Sequence, residues 1–381
     1  MVKANFLPND EITYIPNAHA ALNPFLTREA ETGELPTYEG SRHLLPKPYW
    51  QGHEDAIDCH DKAWQIAFSN LRMPVKESGF VSAFIDTAFN GMLFMWDSAF
   101  ILMFGRYGSR AFNFQKTLDN MYARQHQDGY ICRQLREDIA GERFTRFDPC
   151  STGPEIMAWC EWEYYKTTAD KVRLADVYYP LLAYHEWMAE HRTWRDGTYW
   201  SSGWGCGMDN QPRVEPGRNV SHSNAHMVWI DSTLQALLDA RCLVRMAKEH
   251  GVAVGAHPGY PDLVGFGRRN LSVAPEELKA MVQYQIGALR AFCDAQGLVM
   301  QHVKPHGAMY NMAAKDRKLA DAICRAIVEV DPKLILLGLS GSQLLEVASE
   351  IGLPWASEVF ADRAYEDDGA LTPRSLPGSV I

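Results

Sequence analysis

With 381 residues, the chain is long enough for two or three domains, and its hydrophobic content of 46% can fill sizeable cores. A net charge of −10 argues against a protein that binds nucleic acid or anionic membranes, because clustered Lys and Arg hold such partners. The sequence has no stretch of about 18 apolar residues and no apolar run of signal length near its start. We therefore expect a cytoplasmic globular protein with a small-molecule partner, without nucleic acid or membrane.

The sequence changes character inside a single predicted helix. Ten of its eleven tryptophans lie at or before Trp229, whereas the segment from Gly251 onward alternates short strands with helices. The change falls within an uninterrupted helical pattern over residues 223–249, and no linker marks it. We therefore predict two domains, residues 1–245 and residues 246–381, that meet within this helix.

Helical patterns dominate the first domain, and its polar chemistry lies in the loops. The predicted helices cover residues 52–71, 92–105, 109–126, 153–167, 170–192 and 223–249. The loops at 125–130 and 200–213 combine Gly, Asp and Arg with aromatic residues, which suits a sugar-binding cleft because a pyranose offers an apolar face and a ring of hydroxyls. The alternative is that tryptophans at helical spacing, namely Trp159, Trp162 and Trp187, belong to the helical core.

Three motifs in this domain carry a family resemblance. They are WDSAF at residues 96–100, QHQDGYICRQ at 125–134 and GMDNQPR at 207–213. Together they resemble the (α/α)6-toroid glycoside hydrolases of the trehalase and mannosylglycerate or glucosylglycerate hydrolase kind, in glycoside hydrolase family 63. The resemblance covers about residues 40–245 and implies that Asp209 is the general acid and that the sugar pocket is lined by Trp96, Asp97, Gln127 and Asp128.

The proposed sugar pocket has one residue with an alternative role and two further candidate residues. Asp97 stands at a predicted helix start, where it could be a helix cap rather than a ligand for a sugar hydroxyl. Arg133 and Arg213 are further pocket candidates, because the guanidinium group presents a fork of hydrogen-bond donors.

Inverting glycoside hydrolysis needs two carboxyl groups, an acid at the leaving oxygen and a base that activates water, about 6.5–9.5 Å apart. In the resembled family the base is a glutamate beyond the sixth toroid helix, and this chain leaves the family pattern before that point. We therefore expect an incomplete toroid of about six helices. A glycosidase that acts on a small glucoside or mannoside, with Asp209 as its acid, is one alternative function.

The second domain alternates strands with helices. Strands are predicted at residues 251–259, 298–304, 333–339 and 354–361, and helices at 275–296, 316–329 and 342–351. This is the parallel βα pattern, and its polar residues gather at the carboxyl ends of the strands, where α/β barrels place their active sites. On strand geometry His302, Lys304 and His306 share one face and line a site, unless His302 is an ordinary core or surface histidine.

A second resemblance rests on four stretches of this domain: GAHPGYPDLVGFGRRN at 255–270, YQIGAL at 284–289, QHVKPHGAMYNMAAKD at 301–316 and EVFADRAYEDDGALTPRS at 358–375. They are similar to the LamB/YcsF family, which is associated with the A subunit of the prokaryotic 5-oxoprolinase. The resemblance implies an irregular (β/α) barrel that works with partner subunits and ATP to open 5-oxoproline to glutamate.

The same resemblance implies a set of site residues: His257, Asp262, Arg268, Lys304, His306, Asp362 and Arg363. His257 or His306 would act as a general base or position water, and Lys304 would stabilise an oxyanion on the lactam carbonyl, unless it is a simple salt-bridge partner. By analogy with the sugar deacetylases, histidines and an aspartate could hold a divalent metal, whose presence and identity the sequence leaves open.

Both family patterns are incomplete in this sequence. The LamB/YcsF family opens with two strands that have no counterpart in residues 1–250, so we expect about four βα units of a seven-stranded barrel. The predicted class is α plus α/β, an incomplete toroid followed by an incomplete barrel. Two truncated families joined inside one helix favour a recombined or misassembled reading frame. Three functions stay open: that of the A subunit of 5-oxoprolinase, that of a glycosidase, and none at all in an inactive chimera.

Overall fold

The structure is a computed structural model that describes residues 15–88, 90–139, 141–208, 225–262, 265–361, 363–367, 369–372 and 376–379. The chain forms two compact units, unit 1 (Met1–Met246) and unit 2 (Ala247–Ile381). The division falls inside one continuous helix, Ile230–Glu249, which is where the sequence changes character. Within the described ranges, no helix is both long and apolar enough to cross a membrane.

Helices make up most of unit 1, and its strands are short. In chain order the elements are α1 (Tyr38–Ser41), α2 (Glu54–Ser69), β1 (Leu71–Arg72), β2 (Phe84–Ile85), β3 (Met92–Phe94), α3 (Met95–Gly105), α4 (Asp119–Tyr122), β4 (Gln134–Arg136), α5 (Met157–Thr168), α6 (Lys171–His191), β5 (Trp200–Ser201), β6 (Met227–Val228) and α7 (Ile230–Glu249). The strands form antiparallel pairs, β1 with β2, β3 with β4 and β5 with β6. This helix-rich unit agrees with the α part of the predicted class, and the toroid stays a prediction.

The helix predicted over residues 109–126 is wrong. This segment contains a 3-10 helix, Phe114–Leu118, followed by the single turn of α4. Its polar side chains bind a neighbouring segment: Thr117 Oγ1 accepts from the Ile85 amide at 3.1 Å, and Asn120 Oδ1 accepts from the Val81 amide at 2.8 Å. These long-range bonds satisfy backbone groups that local propensity cannot anticipate.

A charged network lies in the aromatic core of unit 1. Arg173 of α6 donates to Glu161 of α5 at 2.7 and 2.8 Å and to Asp119 of α4 at 2.8 Å. Tyr122 donates to Glu161 at 3.0 Å, and Arg28 brings a second guanidinium to Asp119 at 3.2 Å. Burial raises the pKa of Glu161, and the charge of Arg173 opposes that rise. Two cations therefore balance two buried carboxylates, as a buried ionic network requires.

Unit 2 is built on a parallel sheet. Its elements are β7 (Val254–Ala256), α8 (Pro275–Ala295), β8 (Met300–Val303), α9 (Gly307–Ala313), α10 (Arg317–Val330), β9 (Ile335–Leu339), α11 (Gln343–Ile351) and β10 (Trp355–Glu358). The strand order is β10-β9-β8-β7, and every neighbouring pair is parallel. The four-stranded parallel sheet agrees with the α/β part of the predicted class, and closure into a barrel stays a prediction.

Sequence signals explain the helices that cover this sheet. Pro275 occupies the first turn of α8, where its missing N–H costs nothing. Asp316 caps α10 by accepting from the Lys318 amide at 2.8 Å. The helix α10 contacts both α8 and α11, and four of its residues at helical spacing are fully buried: Ala320, Ile323, Cys324 and Ile327. The parallel order then brings the carboxyl ends of all four strands to one edge of the sheet.

Candidate functional site

The loops that follow β7 and β8 place two histidines against each other. The Lys304 amide donates to the Ala256 carbonyl at 2.9 Å, and the His306 amide donates to the Pro258 carbonyl at 2.8 Å, so the pairing of the two strands continues into their loops. As a result His257 Nε2 and His306 Nδ1 are 2.9 Å apart, with the rings nearly perpendicular. We call His257 and His306 the histidine pair.

Backbone carbonyls fix which ring nitrogens of the histidine pair carry protons. His257 Nδ1 lies 2.6 Å from the Lys304 carbonyl, and His306 Nε2 lies 2.7 Å from the Phe266 carbonyl. A carbonyl only accepts, so both of these nitrogens are N–H groups. A hydrogen bond between the two facing nitrogens therefore needs a third proton and gives the pair one positive charge. Without that proton, the lone pairs of the two facing nitrogens are directed at each other. Histidines that bind a metal have the same arrangement, because each donates its other N–H group to a hydrogen-bond acceptor such as a carbonyl.

Glycines form the seat of the His306 ring. A Cβ at Gly267 would lie 3.0 Å from the ring, and a Cβ at Gly259 would lie 3.3 Å from it. Gly267 and Gly307 also have φ of +66° and +57°, which side-chain-bearing residues rarely adopt. The glycines of the 255–270 and 301–316 stretches are thus needed for the close approach of the two loops.

An ionic cluster lies at the end of β10. The Lys304 ammonium is 2.8 Å from Glu358 Oε2, and the Tyr310 hydroxyl donates to Glu358 Oε1 at 2.7 Å. The ammonium also lies 4.9 Å from the centre of the Phe360 ring. Burial first, and then the Glu358 carboxylate, raise the pKa of Tyr310. Glu358 is not among the predicted site residues, although it stands at the carboxyl end of a strand, where polar site residues are expected.

The prediction that His302, Lys304 and His306 share one strand face is wrong. β8 ends at Val303, because Pro305 has no N–H to extend the ladder, and Lys304 and His306 lie in the loop beyond it. His302 stays in the strand, and its ring fills the space beside Gly255, where a Cβ would be 2.2 Å from Nε2. Burial lowers the pKa of His302, and the positive charge of Lys304 lowers it further.

Asp262 folds the loop that holds the histidine pair. Its buried carboxylate accepts from the Gly265 amide at 3.1 Å and from Arg269 Nε at 3.0 Å. The Arg269 guanidinium first, and then the backbone amides of Gly265 and Arg269, lower the pKa of Asp262 to about 2. The neighbouring Arg268 is exposed, and its guanidinium lies 5.3 Å from the centre of the Phe266 ring. Asp262 therefore has a structural task in addition to any contact with a substrate.

Arg363 is buried and binds backbone carbonyls. Its guanidinium donates to the Thr372 carbonyl at 2.6 Å and to the Ser379 carbonyl at 3.0 Å. It thus holds the segment that follows β10 in place. Asp362, its predicted neighbour in the site, lies outside the described residues.

In unit 1 the structure brings described residues of the motifs at 96–100, 125–134 and 207–213 together. A Cβ at Gly207 would lie 2.6 Å from the indole of Trp96, so the loop that leads to Asp209 packs on Trp96. The amide of Met95, next to Trp96, donates to the Arg133 carbonyl at 2.8 Å. Asp209 and Arg213 themselves lie outside the described residues.

The pocket candidates of unit 1 differ in what they bind. Asp97 is half-buried and does not cap α3, because the N-cap position is Phe94; the described residues give its carboxylate no hydrogen-bond partner. The Arg133 guanidinium, by contrast, donates to the Cys150 carbonyl at 2.6 Å and lies 4.7 Å from the centre of the Phe144 ring. Of these two, Asp97 is the better placed to meet a ligand.

Gln127 and Asp128 are neighbours with opposite surroundings. Asp128 is buried, and its carboxylate accepts from the Arg146 guanidinium and from Trp187 Nε1 at 3.0 Å. Gln127 is exposed, and its carbonyl accepts from the Asn17 amide at 2.8 Å. Asp128 therefore supports the loop from inside, and Gln127 presents its side chain to solvent.

Two family profiles match this chain, and their matches overlap. The mannosylglycerate hydrolase MGH1-like glycoside hydrolase domain matches residues 92–302, and the LamB/YcsF family matches residues 238–381. The chain is thus a hydrolase-family protein of composite sequence. It belongs to the MGH1-like glycoside hydrolase domain family, whose match covers more than half of its residues, and it carries a LamB/YcsF region from residue 238 onward.

The relatives of the LamB/YcsF region are closer in sequence than those of the first region. The A subunit of 5-oxoprolinase from Clostridium beijerinckii is 67% identical over 138 residues, which are 36% of this chain and 54% of the relative. A lactam utilization protein of Thermus thermophilus is 55% identical over 38% of this chain and 58% of its own, with a TM-score of 0.36. The chain therefore spans about half the length of the curated relatives that it matches.

A solved structure also resembles the chain over a longer range. The mannosylglycerate hydrolase of glycoside hydrolase family 63 from Thermus thermophilus is 18% identical and covers 71% of this chain and 64% of its own, with a TM-score of 0.30. TM-scores of 0.30 and 0.36 are too low to establish a shared fold.

Proposed function

We propose that the histidine pair of unit 2 is the functional site of this chain and that it opens a lactam of the 5-oxoproline type together with partner 5-oxoprolinase subunits. The observation that carries the proposal is the pair itself: two rings held by carbonyls at the carboxyl ends of β7 and β8, within the region that resembles the A subunit of 5-oxoprolinase. Proton transfer and water activation are the tasks that such a pair performs.

The chemistry of the pair suits addition of water to an amide. When the shared proton is absent, one of the facing nitrogens accepts a proton from water as the water oxygen bonds to the lactam carbonyl carbon. The carbon–nitrogen bond then breaks, and the same proton passes to the leaving nitrogen, so that one water is added overall. Lys304 uses one N–H on Glu358, and its remaining donors can stabilise the oxygen on which charge develops.

The implied metal and ATP enter the proposal differently. The two facing nitrogens fit a divalent ion, which His257 and His306 would hold and which would supply Lewis-acid activation of water. Among the described residues, the contacts of the pair include two backbone carbonyls, and the neighbouring Lys304 ammonium is engaged by Glu358, which does not make a phosphate site. We therefore place ATP with the assembled subunits and assign it no step at the pair.

The test is 5-oxoproline turnover by the full chain. The chain is combined with the partner subunits of the Clostridium beijerinckii enzyme, ATP and 5-oxoproline, and glutamate and ADP are measured. We expect His306→Asn to lower the rate by about 10² to 10⁴ and Lys304→Met by about 10² to 10³. Lys333→Met, at an exposed lysine before β9, is the matched control and should keep the rate. Undiminished turnover by His306→Asn, or no glutamate from the unaltered chain, would refute the proposal.

We also propose glycoside hydrolysis in unit 1 as a second candidate, because the contact of Trp96 with Gly207 joins two sugar-pocket motifs. Release of free sugar from mannosylglycerate, glucosylglycerate or trehalose, lost in Asp209→Asn, would support it. The absence of both glutamate and free sugar would favour the inactive chimera, whose halves keep their family features without turnover.

A further inference from the structure

Three side chains of unit 1 that lie outside the sequence motifs converge on one point. Glu155 precedes α5, His185 lies in α6 and Asp239 lies in α7. His185 Nδ1 is 2.8 Å from Glu155 Oε1 and 3.1 Å from Asp239 Oδ2, and the three atoms all lie within 4.8 Å of one another. Both carboxylates are buried, at 3% and 4% residue exposure, and the histidine is half-buried.

We propose that Glu155, His185 and Asp239 bind a divalent transition-metal ion, Zn²⁺ or Mn²⁺. A metal of this kind binds nitrogen and oxygen ligands at about 2.0 to 2.2 Å, so adjacent ligands around it stand about 3 Å apart. The two distances from His185 Nδ1 have that value. One imidazole with two carboxylates is a donor set for ions between the soft and the hard classes, which is why we name Zn²⁺ and Mn²⁺ rather than Cu⁺ or Ca²⁺.

The charges of the cluster support an ion. In the structure one ring nitrogen faces two buried carboxylates, and a single N–H cannot point straight at both. Among the described residues His185 is the one cationic group that forms an ion pair with either carboxylate, so two ionised carboxylates beside a protonated His185 carry one negative charge in excess. A divalent ion with neutral His185 cancels both charges, which removes the cost of an uncompensated buried charge.

The position of the cluster indicates what the ion does. The three ligands come from α6, from α7 and from the segment just before α5, so the ion would join these three parts of unit 1. The half-buried His185 side chain, 20% exposed, offers the path by which an ion enters. The site is thus a structural clamp of unit 1, and it is distinct from the histidine pair of unit 2.

The test measures bound ions and thermal stability of the full chain. Chelator-treated protein is incubated with Zn²⁺ or Mn²⁺ alone, and ions per chain are counted by plasma mass spectrometry. Unfolding is followed by tryptophan fluorescence, which reports unit 1 because ten of the eleven tryptophans lie there. We expect Asp239→Asn and His185→Asn to lose one bound ion per chain relative to the unaltered protein, together with the rise in the unfolding temperature of unit 1 that the ion causes. His306→Asn, which alters the histidine pair of unit 2, should keep that rise. The ion should also raise the unfolding temperature of the unaltered chain by several degrees.

Two results would overturn the metal site. One is an unaltered chain whose unfolding temperature neither ion raises, a measurement that needs no variant to fold. The other is an Asp239→Asn chain, folded by circular dichroism, that binds as many ions as the unaltered chain. In either case the cluster is an imidazolium shared by two carboxylates.

Discussion

The Arg173 network of unit 1 and the histidine pair of unit 2 have opposite surroundings. In unit 1 Arg173 and its two carboxylates are enclosed by the aromatic core, with Asp119 only 1% exposed at its side chain. In unit 2 the histidine pair stands at the open ends of two strands, and His257 is exposed. Buried charges that balance each other link the helices that carry them. Exposed histidines can instead transfer protons to and from a substrate. The contrast favours unit 2 as the seat of chemistry and gives the charges of unit 1 a structural part.

The largest expected effect is on the stability of unit 1. Arg173→Met leaves Glu161 and Asp119 buried without their main cation, and we expect a loss of about 3 to 5 kcal/mol in the free energy of unfolding. Chemical denaturation followed by tryptophan fluorescence measures it. Arg136→Met is the matched control within unit 1, because Arg136 forms an exposed pair with Asp138 and should leave the free energy of unfolding nearly unchanged. Equal effects of the two variants would remove the contrast between buried and exposed charge.

A smaller effect is expected at the seat of the His306 ring. Gly267→Ala places a Cβ against the ring at a φ of +66°, and we expect a loss of about 1 to 3 kcal/mol in unit 2 together with reduced 5-oxoproline turnover. Hydrogen exchange of α10 peptides reports the stability of unit 2. Gly287→Ala, within α8 and with open space around it, is the control and should stabilise by about 0.5 to 1 kcal/mol. If Gly267→Ala behaves like Gly287→Ala, the ring is not seated as described.

The smallest effect is a pH dependence in unit 1. Glu137 Oε1 is buried without a partner among the described residues, and burial first, then the neighbouring Asp86, raise the pKa of Glu137 to about 8. A carboxyl group with a raised pKa stabilises the fold below its unfolded pKa of about 4.3, and that stabilisation is lost as pH rises through the folded value.

Glu137→Gln should therefore flatten the stability of unit 1 between about pH 4.5 and pH 8. Because Glu137 is half-buried, we discount the effect to about 1 to 2 kcal/mol across this window. Denaturation of both proteins at about pH 5 and about pH 8 measures it. Parallel losses in the variant and the unaltered chain would assign the dependence to another group.

The helices of unit 2 were predictable because their signals are local. The pattern over 275–296 corresponds to Pro275–Ala295, where a proline at the first turn and apolar residues at helical spacing act within the segment itself. The family motifs likewise named His257, Lys304 and His306. The helix prediction for residues 109–126 was wrong because Thr117 and Asn120 bind residues some thirty to forty positions away in the sequence.

The members of the ionic cluster around Glu358 and of the Glu155–His185–Asp239 cluster could not be predicted, because they too lie far apart in sequence. Glu358 at the end of β10 binds Lys304 beyond β8, with β9 between these strands. Glu155 lies before α5, His185 in α6 and Asp239 in α7. No regular spacing of residues in the sequence indicates that these side chains come into contact. Glu358 is the last residue of β10, and the carboxyl ends of parallel strands lie at one edge of a sheet. This signal could have placed Glu358 at the same edge as the histidine pair.

One assay compares the two units directly. The full chain, with the partner 5-oxoprolinase subunits and ATP, is offered 5-oxoproline and mannosylglycerate in parallel, and glutamate and free sugar are measured for the unaltered protein, His306→Asn and Asp209→Asn. We predict glutamate formation that His306→Asn abolishes and Asp209→Asn leaves intact. Sugar release that Asp209→Asn abolishes, without any glutamate, would place the chemistry in unit 1 and contradict our assignment.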